Sequence, residues 1–168
     1  MTRFTGAPGM VCVLLSLSVY AEIPKNELTD RQTQAVNIVM EHFHKREHIQ
    51  NAFNVFSITK ATETEFSAGS FVHLQFTLKP TTCRKHQWKQ PDCKITKDPR
   101  SFHCLACFKF QYGSHQVMSE VKDCVLQRHL SAERKQKWTE SCSEVKRKDE
   151  PPGLILPGVY SFLKSGNQ

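Results

Sequence analysis

Six of the seven cysteines, at positions 83, 93, 104, 107, 124 and 142, together with two histidines spaced four apart, are the side chains whose types and spacing could support chemistry. Cys104-Leu105-Ala106-Cys107 has the C-x-x-C form shared by zinc sites and thiol-redox centres. On a strand, residues three apart point to opposite faces, so these two thiols cannot easily share an ion or bond to each other. His44 and His48 have metal-pair spacing, but they lie near a fraying helix end without an acidic or cysteine partner and read as solvated. Gly-x-Ser-x-Gly, His-Glu-x-x-His and a phosphate-cradling glycine loop are all lacking. The chain is not expected to be an enzyme, and neither cofactor nor metal is expected.

A second kind of chemistry lies at the C-terminus. Leu154-Ile155-Leu156-Pro157-Gly158-Val159-Tyr160-Ser161-Phe162-Leu163 is apolar and aromatic, and Lys164-Ser165-Gly166-Asn167-Gln168 is polar. The charged, proline-bearing stretch from Glu144 to Gly153 separates this peptide from Cys142. Chain ends with few ties are mobile and open to proteases. The peptide is then either a last edge strand docked on the body or a ligand carried on a scaffold and masked until the residues after Leu163 are removed. Lys164 is the basic side chain a trypsin-like protease would need beside it.

Arg3 followed by the apolar run Met10 to Val19 and then Tyr20-Ala21 has the layout of a secretory signal, with Val19 and Ala21 small enough for signal peptidase. The run is too short to span a bilayer. Cleavage between Ala21 and Glu22 would remove Cys12 and, of 168 residues with net charge +7, would leave 147 with charge +6. That length suits one domain with a real core. The basic surplus on an exported chain points to sulfated glycosaminoglycans or anionic membranes, and not to nucleic acid. Six remaining cysteines in an oxidising compartment imply three disulfides out of fifteen possible pairings. No Asn-x-Ser/Thr site occurs.

The elements that must position these residues can be read in order. Thr29 with Gln32 forms a capping box, and Val36, Val39, Met40 and Phe43 recur at helical spacing, which predicts a helix from about Asp30 to Lys45. Ile49 to Ile58 reads as a strand with a bend, and Thr59 to Ala68 as a polar loop ended by Gly69. Phe71 to Leu78 alternates as a half-buried strand whose end Pro80 loosens. Phe102 to Tyr112 and Gln116 to Val125 are strands joined by a hairpin turn at Tyr112-Gly113-Ser114-His115. Residues 127 to 141 look like a loop with a helical turn.

The hairpin sets one disulfide. With position 112 opposite 115, position 104 falls opposite 123, and one bulge residue brings Cys124 into line with Cys104. Cys83 and Cys93 close their own loop, which leaves Cys107 for Cys142. The closed loop holds Arg84, Lys85, Lys89 and a Trp88 expected to be exposed; Lys146-Arg147-Lys148 is a second basic cluster. Both sets read first as solvated surface, and secondarily as contacts for an acidic sugar or membrane.

One helix followed by four antiparallel strands, with cysteines concentrated in the second half, is the layout of cystatins and cathelicidin pro-regions. Glu27-Leu28-Thr29, Phe43-His44-Lys45, Phe71-Val72-His73-Leu74-Gln75-Phe76, Cys83-Arg84-Lys85, Trp88-Lys89, Cys93-Lys94, Cys104-Leu105-Ala106-Cys107 and Pro157-Gly158 together resemble the chemerin (retinoic acid receptor responder protein 2) family. The resemblance covers nearly all of the chain after residue 21. It implies an α+β, cystatin-like domain over residues 22–142, a linker over 143–153, a flexible tail over 154–168, and a disulfide scheme that agrees with the three pairs above. It also implies a secreted, monomeric chemoattractant and adipokine precursor, acting in leukocyte chemotaxis, inflammation and adipocyte differentiation and metabolism. Extracellular serine proteases and carboxypeptidases would trim its C-terminus, and the freed end would enter a chemokine-like G-protein-coupled receptor.

On that pattern the receptor-binding residues are Pro157, Gly158, Val159, Tyr160, Ser161, Phe162 and Leu163, with processing at Leu163-Lys164. Leu163 stands where the family has Ser, and Ile155-Leu156 replaces an aromatic pair before Pro157. Tyr160 and Phe162 are rigid aromatic anchors with few torsions to freeze. An uncleaved polar tail over 164–168 would have to be desolvated in an apolar pocket, which keeps the precursor weak. Two other activities fit the same layout. Phe71 to Pro91, apolar on one side and basic at its end, suits a host-defence segment. A cystatin-type protease inhibitor would need Gln-x-Val-x-Gly between its first two strands, and Thr59 to Gly69 lacks it.

Overall fold

The computed structural model describes residues 22–67 and 69–148. Helix α1, Asp30–His44, begins with a reciprocal cap. The Gln32 amide donates to the Thr29 hydroxyl at 3.2 Å, and the Thr29 amide donates to the Gln32 carboxamide at 3.1 Å. Ala35, Val36, Val39, Met40 and Phe43 form its buried stripe, at the spacing that keeps one face of a helix inward.

Strands β1 (Asn51–Phe66), β2 (Gly69–Arg84), β3 (Phe102–Gln111) and β4 (Val117–Leu126) follow, and the chain then enters helix α2 (Ala132–Arg147). The strands form one antiparallel sheet in the order β1-β2-β3-β4. This is the expected α+β, cystatin-like arrangement of a helix on a four-stranded sheet with three disulfides, to which a second helix is added. Helix α1 covers one face and α2 covers part of the other.

The second helix corrects the reading of residues 127 to 141 as a loop with a helical turn. It also runs past Cys142, so residues 143–147, the start of the stretch read as a linker, are helical. Ser131 caps it by accepting from the Arg134 amide at 3.1 Å. Its inward side chains are Trp138, Cys142 and Val145, a stripe only three residues wide. Because α2 lies on the back of the sheet, β3 is buried on both faces over most of its length.

The expected polar loop at Thr59 to Ala68 is also strand as far as Phe66. Its acids are held by α1: the Arg31 guanidinium lies 3.2 Å from Glu63 and 2.8 Å from Glu65. The turn into β2 needs Gly69, whose φ is 152° and where a Cβ would sit 1.8 Å from the Phe110 carbonyl oxygen. Strand β2 does not end at Pro80 but continues to Arg84, with Pro80 opposite Phe53 beside a register shift in β1. That placement suits a residue without an amide proton.

The β3–β4 hairpin follows its sequence reading. Gly113 takes φ 67° in the turn, and a register shift between Lys109 and Phe110 supplies the extra residue that sets Cys104 opposite Cys124. Those cysteines are bonded with a Cα separation of 4.1 Å. Cys83–Cys93 and Cys107–Cys142 are the other bridges. Cys104 packs in the layer under α1 and Cys107 in the layer under α2, opposite faces as the three-residue spacing requires.

Candidate functional site

Two surfaces of the domain carry the residues singled out above, and they lie at opposite ends of the sheet. The first is the closed loop after β2. Burial of the aromatic ring, and not exposure, is what organises it. Trp88 is half-buried and stacks on His44, with ring centroids 4.9 Å apart and planes 5° from parallel.

His44 itself is buried, which corrects its reading as a solvated side chain; His48 is exposed. The Phe53 amide donates to His44 Nε2 at 3.0 Å, which leaves Nδ1 to donate to the Met40 carbonyl at 2.7 Å. One nitrogen accepts and the other donates, so the ring is held neutral. Burial, only partly opposed by the Met40 hydrogen bond, pushes its pKa below the usual histidine value.

Around Trp88 a groove of about 510 Å³ is bordered by Lys45, Arg84, Lys85 and His86. Arg84 and Lys89 are exposed, whereas Lys85 is half-buried and donates to the Arg46 carbonyl at 2.7 Å. Lys45, Arg84 and Lys89 thus face solvent around a fixed aromatic floor, while Lys85 is tied down.

The second surface is the C-terminal end of α2. Lys109, between Phe108 and Phe110 near the end of β3, has 0% of its surface exposed. Its ammonium donates to the Lys146 carbonyl at 3.1 Å and to the Lys148 carbonyl. Those oxygens belong to the helix end, where backbone carbonyls lack partners and a positive charge is favoured. The Phe66 ring lies beneath, 5.9 Å from the Lys109 ammonium and 5.6 Å from that of Lys146. Val145 and the Cys107–Cys142 bridge complete the attachment. Lys146, Arg147 and Lys148 are exposed on the outside of this junction.

His73 faces Cys107 across the sheet, and its ring lies close to both sulfurs of the Cys107–Cys142 bridge. The bridge occupies the thiols, so this trio is not a metal site. Burial, with a smaller push from Lys60, lowers the His73 pKa to about 4.

Lys109 and the α2 contacts were not among the expected site residues. Trp138, Cys142 and Val145 at spacings of four and three were the available signal for the helix; nothing in the sequence marked Lys109. The two basic sets are not brought together. Arg84 ends β2, while Lys109 pairs with Phe71 near its start, thirteen residues or roughly 40 Å of strand away. Phe71 to Arg84, the main part of the host-defence candidate, is an inner strand of the sheet and is mostly buried. Glu22 is exposed at the first described position. Ala21, the segment Pro157 to Leu163, Lys164 and the expected flexible tail lie outside the described residues.

No family model matches the chain. Individual relatives do. Retinoic acid receptor responder protein 2 of Bos taurus is 37% identical over 140 residues, covering 83% of this chain and 86% of the bovine one. The chain belongs to the retinoic acid receptor responder protein 2 (chemerin) family. The Homo sapiens chemerin is 36% identical over 141 residues, with 83% and 85% covered, and that of Mus musculus 30% over 162 residues, with 93% and 98% covered. Among solved structures, dimeric human cystatin F aligns with a TM-score of 0.49 at 19% identity, over 71% of this chain and all of that one. Al-CPI aligns at 0.46 and 13%, over 63% and 96%. Membership of the chemerin family therefore rests on sequence.

Proposed function

We propose that the chain is the precursor of a secreted chemoattractant and adipokine. Its C-terminal peptide, once trimmed, is an agonist of a chemokine-like G-protein-coupled receptor regulating leukocyte chemotaxis, inflammation and adipocyte differentiation and metabolism. Alignment with chemerins at 36% and 37% identity over 83% of the chain carries this reading. The body supports it by what it can and cannot do. All six cysteines of the domain are in bridges, which removes them as nucleophiles and suits an oxidising, extracellular compartment. No helix among the described residues is long and apolar enough to cross a membrane.

The division of labour is then a stapled scaffold and a terminal ligand. An extracellular serine protease hydrolyses the bond after Lys164, and a carboxypeptidase removes Lys164 to leave Leu163 bearing the carboxylate. Pro157 to Leu163 enters the receptor with Tyr160 and Phe162 as anchors. A monomer suffices. Arg84, Lys85, Trp88 and Lys89 at one end, and Lys146, Arg147 and Lys148 at the other, give weak contacts to glycosaminoglycans or anionic membranes. Their separation makes two independent patches instead of one continuous stripe.

The test uses two synthetic peptides on cells expressing the receptor. Leu154 to Leu163 is expected to signal at far lower concentration than Leu154 to Gln168. Equal potency removes the masking step from the account. Papain is expected to be unaffected by the whole protein.

A further inference from the structure

The proposed activation asks a protease of basic specificity to cut once, after Lys164. Yet Lys146-Arg147-Lys148 offers the same protease three consecutive bonds, and hydrolysis at any of them would separate the receptor peptide from its scaffold. All three side chains are exposed, so sequence and exposure alone do not protect them. We propose that buried Lys109 is a protease guard: by binding the Lys146 and Lys148 carbonyls it keeps the end of α2 closed, and so directs basic-specific cleavage to Lys164.

The chemistry of the cut explains why this contact matters. A serine protease adds a hydroxyl to the scissile carbonyl carbon and must take that carbonyl oxygen into its oxyanion hole. The scissile oxygens for cleavage after Lys146 and after Lys148 are the two atoms that accept from the Lys109 ammonium. The Lys148 amide is also engaged, donating to the Glu144 carbonyl at 3.0 Å, and Lys146 and Arg147 are within the helix. Cleavage therefore requires this end to open first. Opening breaks both hydrogen bonds of that ammonium, and hydrogen bonds to charged groups are among the stronger ones. Neighbouring ties add to the cost, since Val145 is buried and Cys142 is bonded to β3. Lys109 is thus a positioning residue acting through the backbone of α2.

This inference rests on the proposed activation for its purpose, but its test does not need the receptor. The full-length protein is treated with a trace of trypsin, and the fragments are timed by mass spectrometry. Wild type is expected to lose residues 165–168 at least tenfold faster than it is cut after Lys146, Arg147 or Lys148. In Lys109→Met those three bonds should be cut roughly 10- to 100-fold faster, following the larger open population, with cleavage after Lys164 unchanged. Lys109→Arg, which keeps a charged donor, should restore protection at least partly.

Cleavage after Arg134 and Lys137, earlier in the same helix, separates the guard from general unfolding and should stay slow in Lys109→Met. If that variant is not secreted, Lys109→Gln, which keeps one neutral donor, is expected to fall between wild type and the behaviour given for methionine. Wild type cut equally fast at residues 146–148 and at Lys164 overturns the inference. So does a folded Lys109→Met or Lys109→Gln with the wild-type cleavage order. Should the trimmed protein fail to activate any receptor, the proposed function falls while the cleavage order still decides the guard.

Discussion

Among the described residues, nineteen buried side chains fill the layer between α1 and the sheet, and six fill the layer between the sheet and α2. The first layer is broad and aromatic: Phe43 meets Phe53 and Phe102 edge-on, with centroids 5.1 and 4.9 Å away. The second is narrow and held by individual ties. These are a disulfide, a buried lysine on helix-end carbonyls, and the Trp138 indole donating to Asp123 at 2.8 Å. A broad core resists the loss of any one tie. A layer built from a few specific bonds can be released piecemeal, and the described residues end at Lys148, directly after that layer's helix.

The comparison is tested most severely by removing one member from each side. Phe43→Ala empties the middle of the front layer, where Phe43 is fully buried, and is expected to lower folding stability by about 3–5 kcal/mol in urea unfolding. Replacing Cys107 and Cys142 together by serine removes the back layer's covalent tie. It should cost about 2–4 kcal/mol. Hydrogen exchange should then speed up in α2 before α1; a uniform increase across both helices would show that the layers are one cooperative unit.

Acid acts on both layers, through one histidine in each. His73 lies on the α2 face and His44 on the α1 face, and both have folded pKa values below the ordinary 6.5, to about 4 for His73. The unfolded chain therefore binds protons first. Stability is full above about pH 6.5 and is lost as pH falls toward about 4. Urea midpoints measured across this window should fall, and His73→Gln should flatten the slope. An unchanged slope would mean that His73 gains a proton in the folded protein at its ordinary pH.

The smallest expected effect concerns the indole bond. Trp138→Phe keeps most of the buried ring and loses the donor to Asp123, which still accepts from Arg134 at 3.0 Å. A loss of about 1 kcal/mol is expected.

The same contrast explains what could be read from sequence. Helix α1 was legible because Thr29, Gln32 and the stripe from Val36 to Phe43 are local signals that agree with each other. The β3–β4 hairpin was legible because Gly113 and the Cys104 to Cys124 spacing constrain register together. The second half of β1 was hidden because Lys60 to Glu65 is polar, and its acids find their partner, Arg31, only in three dimensions. Helix α2 was hidden behind a narrow inward stripe among charged residues. The apolar run Cys104 to Phe108 in β3 was the clue that its second face needed a cover. Lys109 could not be found without the fold, since its partners are backbone carbonyls that carry no sequence signature. The terminal peptide is known only from its sequence resemblance to the family pattern and lies outside the described residues.

In the proposed function the body is a carrier and the trimmed aromatic end is the signal. Leukocyte migration toward three purified proteins measures this most directly: the chain ending at Gln168, the chain ending at Leu163, and the latter with Tyr160 and Phe162 changed to alanine. The account predicts strong migration toward the second alone. Equal migration toward the first two, or undiminished migration toward the third, would contradict it.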